Sequence, residues 1–263
     1  MRDESQIGVL MPMRAGDTFF EEALLSLKQQ TYPHWHCYLV ADGEVERSGR
    51  LARSVLGSSC VTVLSYPIGK RGLATGLNFG LRHINESFTA RLDSDDLSAP
   101  ERFEQQVSIF KSNQDLVMVC SSASEVDTEG FVTGVRRLSG SPTTLHRQLE
   151  LYNPVTHSSV MFLTSAVRQV GGYNPLARGC EDYDLWLRLL SAYPAGIFVI
   201  ESPLVSYRRH PSQLTRKSMV GRQFSVVSES KLALSTNKSP YKSQLGVRIK
   251  NVFWYAWQRL RFP

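Results

Sequence analysis

Short apolar runs and amphipathic segments alternate through the first 110 residues of this chain. The apolar runs cover residues 7–11, 37–41, 61–65 and 88–92, and their length suits buried strands better than helices. Between them, apolar residues recur at helical spacing. Alternating strands and helices form a mostly parallel sheet flanked by helices, so we predict an α/β fold. In such a sheet, ligands bind beyond the carboxyl ends of the strands.

Sequence signals also predict where several elements begin and end. Pro12 is expected to end the first strand. Residues 18–21 and 98–101 carry the T/S-x-x-E pattern of a capping box, which predicts that helices begin there. After a fifth predicted strand at 117–121 we expect a hairpin around 127–130 and a loop through 139–143. Loops over 139–155 are expected to set which sugar is moved and which linkage is formed. We find no internal repeat and no linker, so the second half is expected to complete one domain.

Asp93, Asp95 and Asp96 directly follow the fourth apolar run. Like charges this close raise one another's pKa values, and a site that keeps them ionised usually contains a cation. Carboxylate oxygens favour Mg²⁺ or Mn²⁺. The residues alone leave a second interpretation open, an acidic turn in which Ser98 caps the following helix.

The overall charge narrows the range of partners without identifying one. A formal net charge of +6 and a pI near 9.2 favour an anionic partner, that is, nucleic acid, an acidic membrane surface or a phosphorylated small molecule. We expect no secretory signal, and no apolar run reaches transmembrane length. The cysteines have no CxxC or zinc-type spacing and are expected to be reduced thiols of a cytosolic protein: Cys37, Cys60, Cys120 and Cys180.

A series of ordered segments resembles the family 2 glycosyltransferases, which have the nucleotide-sugar-binding fold called GT-A. The segments are VLMP, SLKQQTYPHW, VADGE, KRGLATGLNFG, RLDSDD, HSSVMF with GGYN, GCEDYDLWLRL and YRRHPSQLT. Each is weak alone, but their order and spacing over residues 7–215 are specific. The resemblance implies a GT-A domain over 1–215, with a nucleotide-binding half at about 5–120 and an acceptor half at 121–215. An extension over 216–263 follows.

The resemblance assigns the donor nucleotide sugar mainly to the first half of the chain. Asp42 matches a carboxylate that accepts the imide N–H of uracil. Ala41 and Glu44 depart from the family's DDGS pattern, so the base preference stays open. Arg71 matches a segment that faces the phosphates, and its planar guanidinium suits them. The predicted nucleotide-sugar contacts are Pro12, Asp42, Arg71, Asp93 and Ser94.

For the metal, the resemblance assigns direct coordination of Mn²⁺ or Mg²⁺ to Asp95. Asp93 is assigned to the ribose and the metal-side network, and Asp96 is the usual following acid without an assigned role. His210 lies in a segment that folds back over the site in the family, and we predict it as a second metal ligand. The alternatives are contact with the diphosphate and a surface histidine beside Arg208 and Arg209. A metal there offsets charge that grows on the leaving diphosphate.

Glu181 and Asp182 match the family's ED pair at the start of a helix near the acceptor. Asp182 is predicted to be the general base and Glu181 to position the acceptor or support Asp182, with an exchange of the two roles left open. Without the resemblance, the helix dipole explains two acids at a helix N-terminus equally well. Trp186 is expected to be a core residue, and His157 to be structural or on the acceptor side.

Residues 242–261 contain five Lys or Arg residues and no acid, and their apolar residues follow a helical stripe. This pattern predicts an amphipathic helix that binds anionic lipid at the inner leaflet. Packing of this helix against the domain or a partner is the alternative.

The ordered motifs lead to one main hypothesis and one alternative. The main hypothesis is a metal-dependent inverting glycosyltransferase, with UDP-sugars favoured as donors and a glycan or lipid-linked acceptor. Its predicted role is the synthesis of O-antigen, capsule or exopolysaccharide at the cytoplasmic face of the membrane. The alternative is a non-catalytic nucleotide-sugar-binding subunit of a glycan-assembly complex. We expect no nucleic-acid partner, because no recognition module is found.

Overall fold

A nine-stranded sheet lies at the centre of the part of the chain that the computed structural model describes, residues 6–14, 18–42, 45–66, 72–211, 213 and 226–231. The strands are β1 (Ile7–Arg14), β2 (Trp35–Asp42), β3 (Val61–Tyr66), β4 (Phe88–Arg91), β5 (Leu97–Ser98), β6 (Met118–Val126), β7 (Val132–Arg136), β8 (Met161–Leu163) and β9 (Ile197–Arg208). The α-helices are α1 (Phe20–Lys28), α2 (Val45–Leu56), α3 (Leu73–His83), α4 (Arg102–Ser112), α5 (Pro142–Leu151), α6 (Thr164–Gln169) and α7 (Glu181–Ala192). Two 3₁₀ turns span Ser58–Cys60 and His157–Ser159.

The strand order is β3-β2-β1-β4-β8-β6-β9-β5, with β7 paired to β6. Strands β1 to β4 run parallel, as do β6 and β9. Strands β5, β7 and β8 form antiparallel pairs with their neighbours. The predicted hairpin joins β6 to β7. The predicted α/β fold is confirmed, and the unbroken parallel run lies in the first half of the chain.

Side chains of the strands alternate between two apolar layers. In β1, Val9 and Met11 join the layer under α1, α2 and α4, whereas Leu10 joins the layer under α3, α5, α6 and α7. Each fully buried aliphatic side chain contributes about 1.5–3 kcal/mol of hydrophobic free energy. A Cβ at Gly80 would lie 2.4 Å from Leu10 Cδ1 and 2.6 Å from Val40 Cγ2, so glycine allows α3 to pack closely on the sheet.

Pro12 lies inside β1, so the prediction that it ends the strand is wrong. Leu10 O accepts a hydrogen bond from Leu92 N on the β4 side of β1. Pro12, two residues on, faces the same side, where β4 has already ended at Arg91. Because no neighbouring strand needs an N–H there, β1 continues beside β2 as far as Arg14.

Both predicted capping boxes are also wrong. Helix α1 begins at Phe20 and α4 at Arg102, and neither has a side-chain bond at its cap. Ser98 lies in β5, where its Oγ accepts a hydrogen bond from Gln30 Nε2 at 3.1 Å. The hydroxyl that was expected to cap α4 therefore ties the start of that segment to the end of α1.

The predicted loop over 139–155 instead contains α5, so that prediction is wrong for most of the segment. Proline in the first turn of α5 costs no helical hydrogen bond. Leu145 and Leu149, four residues apart, are buried in the core on the side of α7. Two leucines are a weak periodic signal beside a proline and two threonines.

Residues 226–231 are helical and pack against the domain. Val227 is fully buried, Ser230 Oγ donates to Asp184 Oδ1 on α7 at 2.6 Å, and Lys231 Nζ donates to Leu151 O at 3.2 Å. The predicted helix over 242–261 lies outside the described residues, and the division of the chain at residue 215 stays a prediction. Among the helices that are described, none is long and apolar enough to cross a membrane.

Candidate active site

The carboxyl ends of three parallel strands meet at one edge of the sheet. Pro12 on β1, Asp42 at the end of β2 and Asp93 just beyond β4 lie along this edge. The side chain of Asp42 and the whole of Arg71 lie outside the described residues, so their nucleotide contacts stay predictions. The acids of the triplet and their partners can be followed atom by atom.

A fully buried arginine holds the first acid of the triplet. The Arg91 guanidinium donates to Leu10 O at 2.7 Å, to Leu92 O at 2.9 Å and to the Asp93 carboxylate. Asp93 N donates to Ser158 Oγ at 3.0 Å. Burial raises the pKa of Asp93, but the Arg91 charge and the bonds to the carboxylate outweigh burial and hold this pKa below its usual value. Asp93 is therefore ionised at neutral pH, and its side chain is 29% exposed.

The sequence assigned no role to Asp96, and its contacts indicate a structural one. Its side chain is almost fully buried, where Ser158 Oγ donates to Oδ2 at 2.5 Å and Arg208 N donates to Oδ1 at 2.9 Å. Burial and the charges of Asp95 and Asp93 raise its pKa well above the usual value. Asp96 thus joins the acidic turn to the 3₁₀ turn before β8 and to the end of β9.

Asp95 and His210 are hydrogen-bond partners, with 2.9 Å between Asp95 Oδ2 and His210 Nε2. Two ligands of an octahedral Mg²⁺ or Mn²⁺ at about 2.1 Å and a right angle are about 3 Å apart, so these two atoms fit neighbouring coordination positions. Within the described residues, no group of three or more His, Cys, Asp or Glu side chains could hold a metal. A metal here would therefore take its other ligands from phosphate and water, as Mg²⁺ commonly does.

Arg208, beside His210, is fully buried and not a surface residue. Its guanidinium donates to Glu22 Oε2 at 2.5 Å and to Asp95 O at 3.2 Å, and it lies 4.3 Å from the centroid of the Phe19 ring. The Phe19 ring also lies 5.1 Å from the His210 ring. Arg208 therefore fixes the end of β9 against α1, which holds His210 beside Asp95.

Glu181 and Asp182 begin α7 on the other side of the site. Asp182 is half-buried and accepts hydrogen bonds from Asn153 Nδ2 at 2.8 Å and Tyr183 N at 2.7 Å. Burial raises the pKa of Asp182 to about 6, with a further contribution from the Asp93 charge. The acceptor-side pair and the acidic triplet are therefore close enough to interact electrostatically.

Glu181 is more enclosed than Asp182. Its side chain is buried, and Oε2 has no hydrogen-bond partner within the described residues. Burial and the Asp182 charge raise the pKa of Glu181 to about 7. An unpartnered buried carboxyl oxygen is costly unless the group holds a proton or meets a ligand hydroxyl.

His157 lies between Arg91 and Tyr173 as a neutral acceptor. Its Nε2 lies 3.0 Å from Arg91 Nε, which can only donate, and 3.0 Å from the hydroxyl of Tyr173. Burial and the Arg91 charge lower the pKa of His157 to about 3. Trp186 is fully buried, with its ring 5.9 Å from that of His157. The predicted core position of Trp186 agrees with this packing.

The sequence reasoning missed four residues that shape the site. They are Arg91, Asn153, Ser158 and Arg208. Arg91 carried one available signal, a charge inside an otherwise apolar strand, since a buried arginine needs several partners. The others carried no such signal. Ser94, a predicted nucleotide-sugar contact, is 7% exposed in the turn between Asp93 and Asp95.

An α/β sheet with acids gathered at the carboxyl ends of its strands defines a class of proteins that bind ligands at this edge. Residues 9–170 match the family described as Glycosyl transferase family 2, which is more than half of the chain. The chain therefore belongs to glycosyl transferase family 2. The matched range contains the Asp triplet, whereas Glu181, Asp182 and His210 lie beyond it.

Two relatives illustrate the similarity. The amylovoran biosynthesis glycosyltransferase AmsE of Erwinia amylovora is 34% identical over 172 residues, which are 65% of this chain and 64% of that protein. The UDP-Gal:alpha-D-GlcNAc-diphosphoundecaprenol beta-1,3-galactosyltransferase of Escherichia coli is 28% identical over 194 residues, which are 72% of this chain and 69% of that enzyme. The chain thus spans less than two thirds of the length of AmsE.

A solved structure supports the fold. S. aureus TarS 1–349 in complex with UDP-GlcNAc superposes with a TM-score of 0.70 over 98% of this chain and 73% of that one, at 14% identity. At this identity the likeness shows the fold alone, and it confirms the predicted GT-A architecture.

Proposed function

We propose that this chain is a metal-dependent inverting glycosyltransferase that uses a UDP-sugar. Membership of glycosyl transferase family 2 supports sugar transfer, and a relative named for UDP-Gal supports the donor class. Names that specify amylovoran biosynthesis and a diphosphoundecaprenol substrate support a lipid-linked or glycan acceptor in surface polysaccharide synthesis.

The donor is proposed to bind along the edge formed by β1, β2 and β4. Asp95 and His210 hold Mn²⁺ or Mg²⁺, and Asp93 faces the ribose. When bound, the ion offsets negative charge on the diphosphate. The remaining nucleotide-sugar contacts are Pro12, Asp42, Arg71 and Ser94.

The acceptor is proposed to bind beside α7, with Asp182 as general base. The acceptor O–H bond breaks and its proton passes to the Asp182 carboxylate. The freed electron pair forms the bond to the anomeric carbon, and the bond from this carbon to the diphosphate breaks with its pair on the diphosphate oxygen. One displacement from the opposite face inverts the configuration. Glu181 carries its proton below a pKa of about 7, and in this form it donates to an acceptor oxygen.

The observation that carries the proposal is the 2.9 Å separation of Asp95 Oδ2 and His210 Nε2 beyond the carboxyl end of β4, because it provides a position for a metal and a diphosphate. The experiment is a thermal-shift screen of nucleoside diphosphates and UDP-sugars with and without Mn²⁺, followed by measurement of UDP release. We expect a stabilisation by UDP that depends on Mn²⁺, and turnover of at least one UDP-sugar. Binding without turnover of any donor would favour the non-catalytic subunit.

We further propose that the chain works at the cytoplasmic face of the membrane through residues 242–261. The basic and apolar pattern of this segment supports binding to anionic lipid. In liposome flotation, the full chain should float with anionic vesicles and a chain that ends at residue 238 should not. Equal flotation of the two would remove the proposal.

A further inference from the structure

The loop between α5 and the 3₁₀ turn at His157–Ser159 holds an amide against Asp182. Asn153 Nδ2 donates to Asp182 Oδ2 at 2.8 Å, and Asn153 Oδ1 accepts from Val155 N at 3.1 Å. The second bond closes an Asx turn around Pro154. Because Oδ1 is needed by Val155 N, the amide can present only its NH₂ group to the carboxylate.

The segment that carries Asn153 is itself fixed to α7. Tyr183 OH, one residue after Asp182, donates to Leu149 O at 2.6 Å near the end of α5. Lys231 Nζ donates to Leu151 O at 3.2 Å, two residues before Asn153. The distance between the amide and the carboxylate is therefore set by the packing of α5 on α7.

Asp182 is the more accessible acid of the ED pair, and each of its oxygens accepts one hydrogen bond. Oδ1 is held by Tyr183 N and Oδ2 by Asn153, which leaves lone pairs on both oxygens for a substrate proton. Glu181 differs, because its Oε2 has no partner within the described residues. Asp182 is held in one orientation by donors on two separate elements, Tyr183 N on α7 and Asn153 Nδ2 in the loop after α5.

We propose that Asn153 is a positioning residue whose amide holds Asp182 Oδ2 in the orientation that accepts the proton of the acceptor hydroxyl. This inference rests on the proposed function and sharpens it, because it makes Asp182, and not Glu181, the base. Asn153 touches neither substrate nor the reacting carbon. It acts by fixing the carboxylate and by stabilising its ionised form.

The ionisation of Asp182 is set by groups on several elements. Burial raises its pKa, the Asp93 charge adds to this rise, and the hydrogen bonds from Tyr183 N and Asn153 lower it. The titratable groups that interact with Asp182 are Asp93 beyond β4, Tyr173 and Cys180 before α7, and Glu181 and Tyr183 on α7. The charged form is favoured by hydrogen bonds from Tyr183 N, from Asn153 Nδ2 and from the backbone of Asp182 itself.

Two substitutions separate the hydrogen bond from the turn. Asn153→Ser keeps an acceptor for Val155 N but is too short to reach Asp182. Asn153→Asp keeps the turn and the shape but replaces the donor by a second carboxylate. Asn174→Asp is the matched control, because Asn174 also forms an Asx turn before a proline, with Oδ1 accepting from Leu176 N at 3.0 Å.

The Asp182 carboxyl is titrated by ¹³C NMR in the full chain without substrate, and the pH–rate profile of transfer is measured with the UDP-sugar that the wild type uses. We expect Asn153→Ser to move both the NMR midpoint and the acidic limb of the rate profile upward by about one pH unit. Asn153→Asp should move both further, because two close carboxylates share a proton. The donor KM should stay within about twofold, and Asn174→Asp should match the wild type.

Two results would overturn the role of Asn153. An NMR midpoint that does not move would mean that the amide does not stabilise the carboxylate. If the NMR midpoint of Asp182 moves but the acidic limb of the pH–rate profile does not, Asp182 is not the base. The first result is read without substrate and the second requires an active wild type. Both therefore differ from a wild type that transfers no sugar, which would defeat the proposed function itself.

Discussion

The surroundings shift the pKa values of the acids in opposite directions on the two sides of the site: downward for Asp93, and upward for Glu181 and Asp182. On the donor side, Asp93 lies against the buried Arg91 guanidinium, and the turn that carries Asp95 is bound by buried Arg208. On the acceptor side, neither Glu181 nor Asp182 forms an ion pair within the described residues, and burial raises the pKa of both. The pKa of Asp93 is thus lowered at one end of the site, whereas the pKa values of Asp182 and Glu181 are raised to about 6 and about 7 at the other.

This difference shows how one site can provide carboxylates both for binding a cation and for accepting a proton. The buried Arg91 guanidinium keeps Asp93 ionised beside the proposed metal ligand Asp95, and Arg208 holds the turn through the Asp95 carbonyl oxygen. A general base works best when its pKa lies near the operating pH, which desolvation achieves without a cation. Asp96 is the exception on the donor side, because it is buried as an anchor.

Removal of the metal ligand should have the largest effect. We expect Asp95→Ala to lower transfer by about 10³-fold, because a metal contributes several kcal/mol of charge stabilisation to such a reaction. Initial rates over a range of Mn²⁺ concentrations measure this effect. Asp115→Asn, an exposed acid after α4, should keep the wild-type rate. Retention of more than a tenth of the rate by Asp95→Ala would mean that the donor side does not depend on this carboxylate.

Removal of the base should lower turnover while donor binding survives. For Asp182→Asn we expect kcat to fall by about 10²–10⁴-fold, the usual contribution of a general base. The Kd of the UDP-sugar, measured by calorimetry, should change by less than about twofold because the donor-side residues are intact. If Glu181→Gln lowers kcat more than Asp182→Asn does, the roles of the two acids are exchanged.

Removal of a donor-side arginine should cost stability. Arg91→Met leaves the Asp93 carboxylate without its cation and removes one donor from each of two backbone carbonyl groups. Loss of one partner from a buried ion pair costs about 3–5 kcal/mol, measurable by urea unfolding at pH 7. Arg50→Met, which breaks an exposed pair with Glu46, should cost less than about 1 kcal/mol. Equal effects of the two substitutions would contradict the contrast between buried and exposed arginines.

Most of the first half of the fold was predictable from local pattern. The runs that became β1 to β4 are short, apolar and bounded by turn residues, so their period and length were enough. Helix α5 was missed because its apolar signal consists of few residues beside a proline. The capping boxes failed because tertiary packing used Ser98 elsewhere.

The site was predictable where motifs carry acids and not where packing decides the environment. The acidic triplet and the ED pair can be recognised from the sequence, because their residue types and spacing define the motifs. The partners of Arg91 do not, since Leu10 lies 81 positions and His157 lies 66 positions away along the chain. Burial of Arg91 and Arg208 depends on such distant contacts, and a single sequence offers no measure of them.

The smallest expected effect concerns Glu181 and the sign of a pH dependence. The folded chain keeps the Glu181 proton up to a pKa of about 7, whereas an unfolded glutamate loses it near pH 4.5. Between these values the unfolded state binds fewer protons, so the free energy of unfolding falls as pH rises. The loss approaches about 3 kcal/mol above pH 7. Glu181→Gln removes this pH-dependent loss. The free energy of unfolding of the variant should therefore rise relative to that of the wild type as pH increases.

Urea unfolding at pH 5 and pH 8 measures this gain, with Glu129→Gln as an exposed control that should follow the wild type at both values. The opposite sign is expected on the donor side, where Arg91→Met destabilises because it removes the charge that Asp93 needs. If Glu181→Gln is no more stable than the wild type at pH 8, the buried carboxyl has a compensating cation. The acceptor side would then be held ionised in the same way as the donor side, and the contrast between the two would fail.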